Sequence, residues 1–249
     1  MQLVAVHGWQ KEEGEVAKII ADTLGTVVFE ARQKIAGGGP AVVANFADPK
    51  QAAEVAASLG RQGVPAMLVD SLEVRRRQPP MKVSRFELGS QGIKLANMAG
   101  ETCTVAYPDM ELLLVAVCSA GMTETTGTVT ERKFSLGKTL LAGGVPMTRK
   151  VTREQTVLAE DRDKALWLFA AGRTIAICYC GTMDFASLGA AKQLTRDLNF
   201  SYLTEELRRL APQACFDDRL LKRPAMIRLL GPTLCPETDF DLALEVLAG

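Results

Sequence analysis

The stretch LEVRRRQPP, Leu72–Pro80, divides the chain into two segments with different hydrophobic patterns. Before this stretch, apolar residues recur at helical spacing between short buried strands; after it, strand alternation dominates. Three consecutive arginines followed by a Pro-Pro pair suit neither a core helix nor a central strand. The sequence therefore predicts a linker at residues 73–81 that separates two modules.

Composition limits the classes of protein to which this chain can belong. Its 249 residues are 47% hydrophobic, which is enough for two cores of ordinary domain size. Lys plus Arg and Asp plus Glu balance at 29 each, so no overall field attracts nucleic acid or a membrane. No apolar run is long enough to cross a bilayer, and the start of the chain lacks the features of a signal peptide. We therefore expect a cytoplasmic protein with no nucleic-acid partner.

The first module, residues 1–72, alternates short strands with amphipathic helices. Gly25, Gly37 and Gly63 each follow an apolar periodic segment, so each is expected to end a helix, at least two of them with positive φ. Asp48-Pro49 combines an N-cap with a proline at the first helical position. The predicted order is β-α-α-β-α-β, with these bounds: Gln2–Val6, Glu12–Leu24, Val27–Ala36, Ala41–Phe46, Asp48 to about Arg61, and Val64–Val69.

Two details of this module carry a family resemblance. Gly25 is followed closely by Glu30-Ala31-Arg32, and Ala56–Leu59 is followed by Gly63. With the element order, they resemble the C-terminal domain of the acidic ribosomal stalk protein and the related adaptor of the Clp protease. The resemblance covers residues 1–72 and implies a protein-docking module rather than chemistry. The chain departs from that family by its triple glycine and by lacking a lysine-rich docking face, so the protein partner stays unknown.

The triple glycine Gly37-Gly38-Gly39 invites comparison with a phosphate-binding loop. Such loops precede a helix, whose N-terminal amides then face the anion. Here the glycines follow a predicted helix and precede a predicted strand. A helix stop is therefore the favoured interpretation.

The second module, residues 82–212, is predicted to be rich in strands. Glycine and proline turns separate its apolar alternating segments, and a helix with Asn199 as a candidate cap closes it. Strands followed by a closing helix resemble the pleckstrin-homology-like barrel, which implies headgroup binding, peptide binding or scaffolding. The expected strand segments are Val83–Leu88, Ile93–Leu95, Thr102–Tyr107, Leu112–Cys118, Ala165–Ala170 and Thr174–Cys180.

Residues 213–249 complete the predicted architecture as a helical tail. Its apolar stripes require a cover. The second module is the simplest cover, and a partner protomer is the alternative, which leaves a homo-oligomer open. The predicted fold class is α+β: a small β-α-α-β-α-β domain, a mostly antiparallel barrel-like domain, and this tail.

A protruding ribbon is predicted within the second module at about residues 119–163. Its arms are the threonine-rich and valine-rich segments Thr123–Thr130 and Thr148–Thr156, and its tip is residues 135–147. An apolar tip inside a basic collar suits an acidic protein surface or anionic headgroups. The alternative is that the tip folds back onto the barrel. The candidate binding residues are Arg132, Lys133, Lys138, Leu140, Leu141, Arg149 and Lys150.

Neither catalytic residues nor a metal or cofactor site is predicted. Gly137-Lys138-Thr139 resembles the end of a Walker A motif, but Arg132 stands where that motif requires glycine. Cys178-Tyr179-Cys180 places two thiols on one strand face without further ligands nearby, which favours core packing over a metal. His7 is the only histidine, so no nucleophile–base pair is supported.

These observations favour a protein-interaction or scaffold protein. The alternatives are a binder of anionic ligands or lipid headgroups through the ribbon tip, and an enzyme whose site the sequence does not display.

Overall fold

The structure is a computed structural model that describes residues 1–134, 148–235 and 238–249, with the side chains of 119–161 left undescribed. Two compact units are present. One comprises residues 1–117 together with 164–249, and the other comprises residues 118–163.

The first module follows the predicted order. Its strands are β1 (Gln2–Val6), β2 (Ala41–Phe46) and β3 (Ala66–Asp70), and its helices are α1 (Glu13–Leu24), α2 (Val28–Ile35) and α3 (Pro49–Arg61). The sheet order is β2-β1-β3, and both pairs are antiparallel. The β-α-α-β-α-β prediction is confirmed.

Local capping explains why these helices end and begin where they do. Asp48 accepts a hydrogen bond from the backbone N–H of Lys50 at 2.9 Å, and proline follows at the first position of α3. Gly25, Gly37 and Gly63 have φ of 66°, 99° and 79°. Only glycine adopts such angles without strain, so the prediction of glycine helix stops is confirmed.

Both faces of the first module's sheet are buried. Val4 and Val6 belong to the core shared with α1, α2 and α3. Leu3 and Ala5 point to the opposite face, because side chains alternate along a strand, yet they too are fully buried. A second layer must therefore cover this sheet.

The tail supplies that second layer. Its helices are α6 (Arg223–Leu230) and α7 (Phe240–Ala248). Helix α6 packs against β2, whereas α7 packs against β3. The expectation that the tail would cover the second module is therefore wrong for these two helices, whereas Cys215–Asp217 of the same tail pairs with Leu112–Leu114 of the second module. Helix α7 also contacts the second module at Phe240, whose ring centroid lies 5.2 Å from that of Trp167.

A short helix, α4 (Ser71–Arg76), lies where the linker was expected to begin. The Asp70 carboxylate caps it by accepting from the N–H of Leu72 at 2.8 Å. That hydrogen bond is the main reason why the pKa of Asp70 is lowered. Two of the three arginines that suggested a linker form ion pairs at α7: Arg75 with Asp239, just before that helix, and with Asp241, and Arg77 with Glu245.

Two further sheets are built mainly from the second module. Their strands are β4 (Met81–Val83), β5 (Arg85–Leu88), β6 (Gly92–Ala96), β7 (Thr102–Ala106), β8 (Met110–Phe134), β9 (Thr148–Ala170), β10 (Arg173–Tyr179) and, from the tail, β11 (Cys215–Asp217). One sheet has the strand order β5-β6-β7 and the other β11-β8-β9-β10-β4. In the described part of the chain, these strands form separate sheets and no closed barrel.

A single long helix closes the second module's core. Helix α5 (Arg196–Leu210) buries Phe200, Leu203 and Leu207. Asn199 is not its cap: Thr195 accepts from the N–H of Leu198, while Asn199 is buried and bonds to the backbone of Gln193. The α+β class is confirmed. None of the helices in the described residues combines the length and the apolar character that crossing a bilayer requires.

Candidate functional site

A cleft of about 210 Å³ lies where the end of α2 meets the tail. We call it the basic cleft. One wall is the segment from Lys34 to Ala41, which includes Gly37 and Gly39. The other wall comes from the tail, with Arg219 just before α6 and Arg228 within it.

The glycine wall is shaped by backbone conformation and by close neighbours. Gly37, Gly38 and Gly39 all have positive φ, at 99°, 76° and 22°. A Cβ built on Gly39 would overlap the ring of Trp9, and one on Gly37 would lie 3.2 Å from Nη1 of Arg228. The turn therefore brings the backbone of Gly37 close to a cationic side chain from the tail.

Hydrogen bonds to the protein hold all three cationic side chains of the cleft. Lys34 Nζ donates to the carbonyl of Val43 at 2.6 Å. Arg219 Nε donates to both carboxylate oxygens of Asp217, and its Nη1 donates to the carbonyl of Gly39 at 2.8 Å. Arg228 Nε donates to Pro224 of its own helix at 3.3 Å. A guanidinium carries five N–H donors and an ammonium three, so each group retains donors.

The charges of the basic cleft do not balance. Asp217, whose side chain is 10% exposed, neutralises Arg219. In the described part of the chain, Lys34 and Arg228 have no ion-pair partner, and no carboxylate lines the cleft. The cleft therefore carries an excess of two positive charges.

The floor of the basic cleft is apolar. Ile35, Leu220 and Leu229 are buried, and Leu247 at the end of α7 completes the lining. Apolar surroundings lower the local dielectric, which strengthens any interaction between the cationic groups and a bound anion. The geometry suits an anionic group attached to an apolar body.

The predicted ribbon is described only in its backbone. Its arms, Thr123–Thr130 and Thr148–Thr156, lie within β8 and β9, as expected. Among the candidate binding residues, Arg132 and Lys133 lie in β8, and Arg149 and Lys150 in β9; their side chains are undescribed. The tip, with Lys138, Leu140 and Leu141, lies outside the described residues. The ribbon binding site therefore stays a prediction.

The cysteine pair predicted to be structural lies in the second module's core. Cys178 and Cys180 are both buried in it, and burial raises the pKa of the Cys178 thiol to about 12. Within the described residues, no group of three His, Cys, Asp or Glu side chains could hold a metal ion.

The basic cleft was not predicted from the sequence because its walls are far apart in the chain. The hydrogen bond between Arg219 and Gly39 spans 180 residues. The triple glycine was the one part of the cleft that stood out in the sequence, and it does end helix α2 as predicted. Its second role, as a wall facing tail arginines, depends on contacts that no local pattern encodes.

In comparisons with protein families, curated proteins and solved structures, nothing matches this chain. The resemblances to the stalk-protein domain and to the pleckstrin-homology-like barrel stay predictions. The basic cleft is therefore the strongest basis for a function.

Proposed function

We propose that this protein binds a small anionic ligand in the basic cleft. The observation that carries the proposal is that Lys34, Arg219 and Arg228 line one cleft with an apolar floor, and that among the described residues Asp217 is the one carboxylate paired with any of them. Like charges that line one cleft repel each other. An anion relieves that repulsion and accepts the remaining N–H donors.

The cationic groups are positioned before any ligand arrives. Arg219 is fixed between Asp217 and the Gly39 carbonyl, and Lys34 is fixed on Val43. Binding then costs less side-chain entropy than it would with free surface lysines. Each hydrogen bond to a charged group contributes about 1.5–3 kcal/mol net, so two or three of them support measurable affinity.

The test is calorimetric titration of the 249-residue chain with inorganic phosphate, sulfate and citrate. The variants Lys34→Gln and Arg228→Gln should each weaken binding by about tenfold, since each removes one charge-assisted hydrogen bond. Lys18→Gln and Arg61→Gln are matched controls, because both residues are exposed and neither lines the cleft. The proposal would be contradicted if the control variants lost as much anion affinity as the cleft variants. It would also be contradicted if the unmodified chain bound none of the three anions.

We also propose a second binding surface at the ribbon tip, directed at an acidic protein surface or anionic headgroups. Its support is that β8 and β9 flank residues 135–147 directly, with Arg132 and Lys133 near the end of β8 and Arg149 and Lys150 at the start of β9. Together the two sites suit a cytoplasmic interaction or scaffold protein. The stalk-like and pleckstrin-homology-like resemblances belong to this proposal as its expected folds.

The ribbon proposal is tested separately from the cleft. Replacing Arg132, Lys133, Lys138, Arg149 and Lys150 by glutamine should weaken binding to anionic vesicles, most strongly at low salt. Replacing Leu140 and Leu141 by serine should weaken it further with little salt dependence, because that contribution is apolar burial. A large fall in melting temperature for the leucine variant would show instead that the tip belongs to a core.

A further inference from the structure

We infer that the anion of the basic cleft is the phosphate group of a small, free phosphate monoester whose apolar body lies on the leucine floor. This inference rests on the proposed function and narrows it to one ligand class. Three properties of the cleft support it: its charge, the origin of its donors, and its size.

The charge of the cleft matches a dianion. Two positive charges remain after Asp217 has neutralised Arg219. A phosphate monoester has a second pKa near 6 and carries nearly two negative charges at neutral pH. A carboxylate carries one, which would leave one cation of the cleft without compensation.

The donors come from three separate places in the chain. Lys34 lies on α2, Arg219 precedes α6, and Arg228 lies on α6. One guanidinium fork is enough for a planar carboxylate, as the pairing of Arg219 with Asp217 demonstrates within this molecule. Three separate cationic side chains instead suit a tetrahedral group with three terminal oxygens.

The size of the cleft limits the rest of the ligand. Its volume of about 210 Å³ is below the range of about 300–1,000 Å³ that is typical of sites for drug-sized molecules. Leu220 and Leu229 offer buried apolar surface next to the cationic groups. A phosphate with a compact apolar body fits these limits, whereas a dinucleotide exceeds them.

The test titrates the 249-residue chain with phenyl phosphate, benzoate and inorganic phosphate. Phenyl phosphate and benzoate share a ring and differ in the anion, while the two phosphates share the anion and differ in the body. We expect phenyl phosphate to bind at least about tenfold more tightly than either of the others. The variant Leu229→Ala should weaken the binding of phenyl phosphate more than that of inorganic phosphate, whereas Arg228→Gln should weaken the binding of both by a similar factor.

A pH series adds an independent measure of ligand charge. Phenyl phosphate should lose affinity as the pH falls from 7.5 to 5, because its phosphate gains a proton near pH 6. Inorganic sulfate is the control, because it stays dianionic over this range. Any change in its affinity with pH therefore comes from the protein, whose charged groups at the cleft are Lys34, Arg219, Arg228 and Asp217. Parallel losses for both ligands would overturn the assignment to phosphate.

The remaining outcomes separate this inference from the proposed function. Benzoate binding as tightly as phenyl phosphate would overturn the phosphate assignment and leave anion binding in place. If the chain binds vesicles that contain phosphatidic acid but does not bind phenyl phosphate, the ligand is a lipid headgroup and the assignment to a free phosphate monoester is wrong. If the chain binds none of these anions, the proposed function and the inference are both wrong.

Discussion

The two faces of the first module's sheet are covered in different ways. One face lies against α1, α2 and α3, which come from the same stretch of chain as the strands. The other lies against α6 and α7, which follow the sheet by about 150 residues or more along the chain. We call α1, α2 and α3 the near cover and α6 and α7 the distant cover. The near cover belongs to the same stretch of chain as the sheet, whereas the distant cover joins the sheet to the tail through tertiary contacts. The basic cleft lies at that second junction, so the proposed ligand site and the attachment of the tail depend on the same contacts.

The strongest test of this comparison removes the distant cover. Deleting residues 222–249 takes away α6 and α7 but keeps β11. It exposes Leu3, Ala5 and Val42 on the far face of the sheet. Each buried aliphatic side chain of valine or leucine size contributes about 1.5–3 kcal/mol, and the deletion also loses the tail's own buried leucines. The total is comparable with the 5–15 kcal/mol stability of a typical domain.

We therefore expect the shortened chain to lose the first module's part of the cooperative thermal transition, as monitored by circular dichroism, because the second module's core is untouched. The isolated fragment 1–76 should behave in the same way. A fragment that unfolds cooperatively within a few degrees of the 249-residue chain would show that the first module is an independent domain, as the linker prediction at residues 73–81 proposes.

Single substitutions compare how much stability buried side chains contribute on each of the two faces of the sheet. Leu230 and Leu242 of the tail are fully buried, as is Ile20 of α1. Truncating any of them to alanine should cost about 2–5 kcal/mol in urea unfolding. Ile227 on α6 is 46% exposed, so Ile227→Ala is the matched control with a much smaller effect. If the alanine variants of the two leucines changed the free energy of unfolding by almost nothing, the tail would add no stabilising layer.

The glycine wall of the cleft offers a smaller and more local test. Gly39→Ala should cost more than the 1 kcal/mol or so typical of glycine replacement at positive φ, because its Cβ also overlaps Trp9. Gly38→Ala is the control, since Gly38 has φ of 76° and open space around it. Differential scanning calorimetry should rank Gly39→Ala below Gly38→Ala in melting temperature, and the reverse ranking would contradict the described packing.

The smallest expected effect belongs to the ion pairs between α4 and α7. Arg75 and Arg77 are about half exposed, and such pairs contribute about 0–1 kcal/mol each. Arg75→Gln with Arg77→Gln removes three such pairs and should lower stability by about 1 kcal/mol, with an upper bound of about 3 kcal/mol. The difference from the unmodified chain should shrink in high salt. A loss as large as that of Leu242→Ala would show that charge rather than apolar burial attaches the tail.

Sequence patterns predicted the parts of this fold whose causes are local. The start of α3 depends on Asp48 and Pro49, which are neighbours, and the end of α1 depends on Gly25. Those elements were placed to within one or two residues. Helix α4 was missed because the arginines that follow Asp70 were interpreted as breaking structure, whereas Arg75 pairs with an aspartate 164 residues later.

The candidate site was unpredictable for the same physical reason. Lys34 and the triple glycine are visible in the sequence, but nothing near them indicates Arg219 or Arg228. Those arginines come close only because Leu230 and its neighbours need the free face of the sheet, and that face is defined by tertiary packing. The cause is long-range burial, which periodicity does not encode.

The most direct test of the central claim is backbone amide NMR of the 249-residue chain during a titration with inorganic phosphate. We expect one saturating set of shift changes to appear together at Gly37–Gly39 and around Arg228, since both walls would contact the same anion. Lys34→Gln should weaken the whole set. Shift changes confined to one wall, or located only in β8 and β9 beside the ribbon tip, would contradict a ligand site built jointly by α2 and the tail.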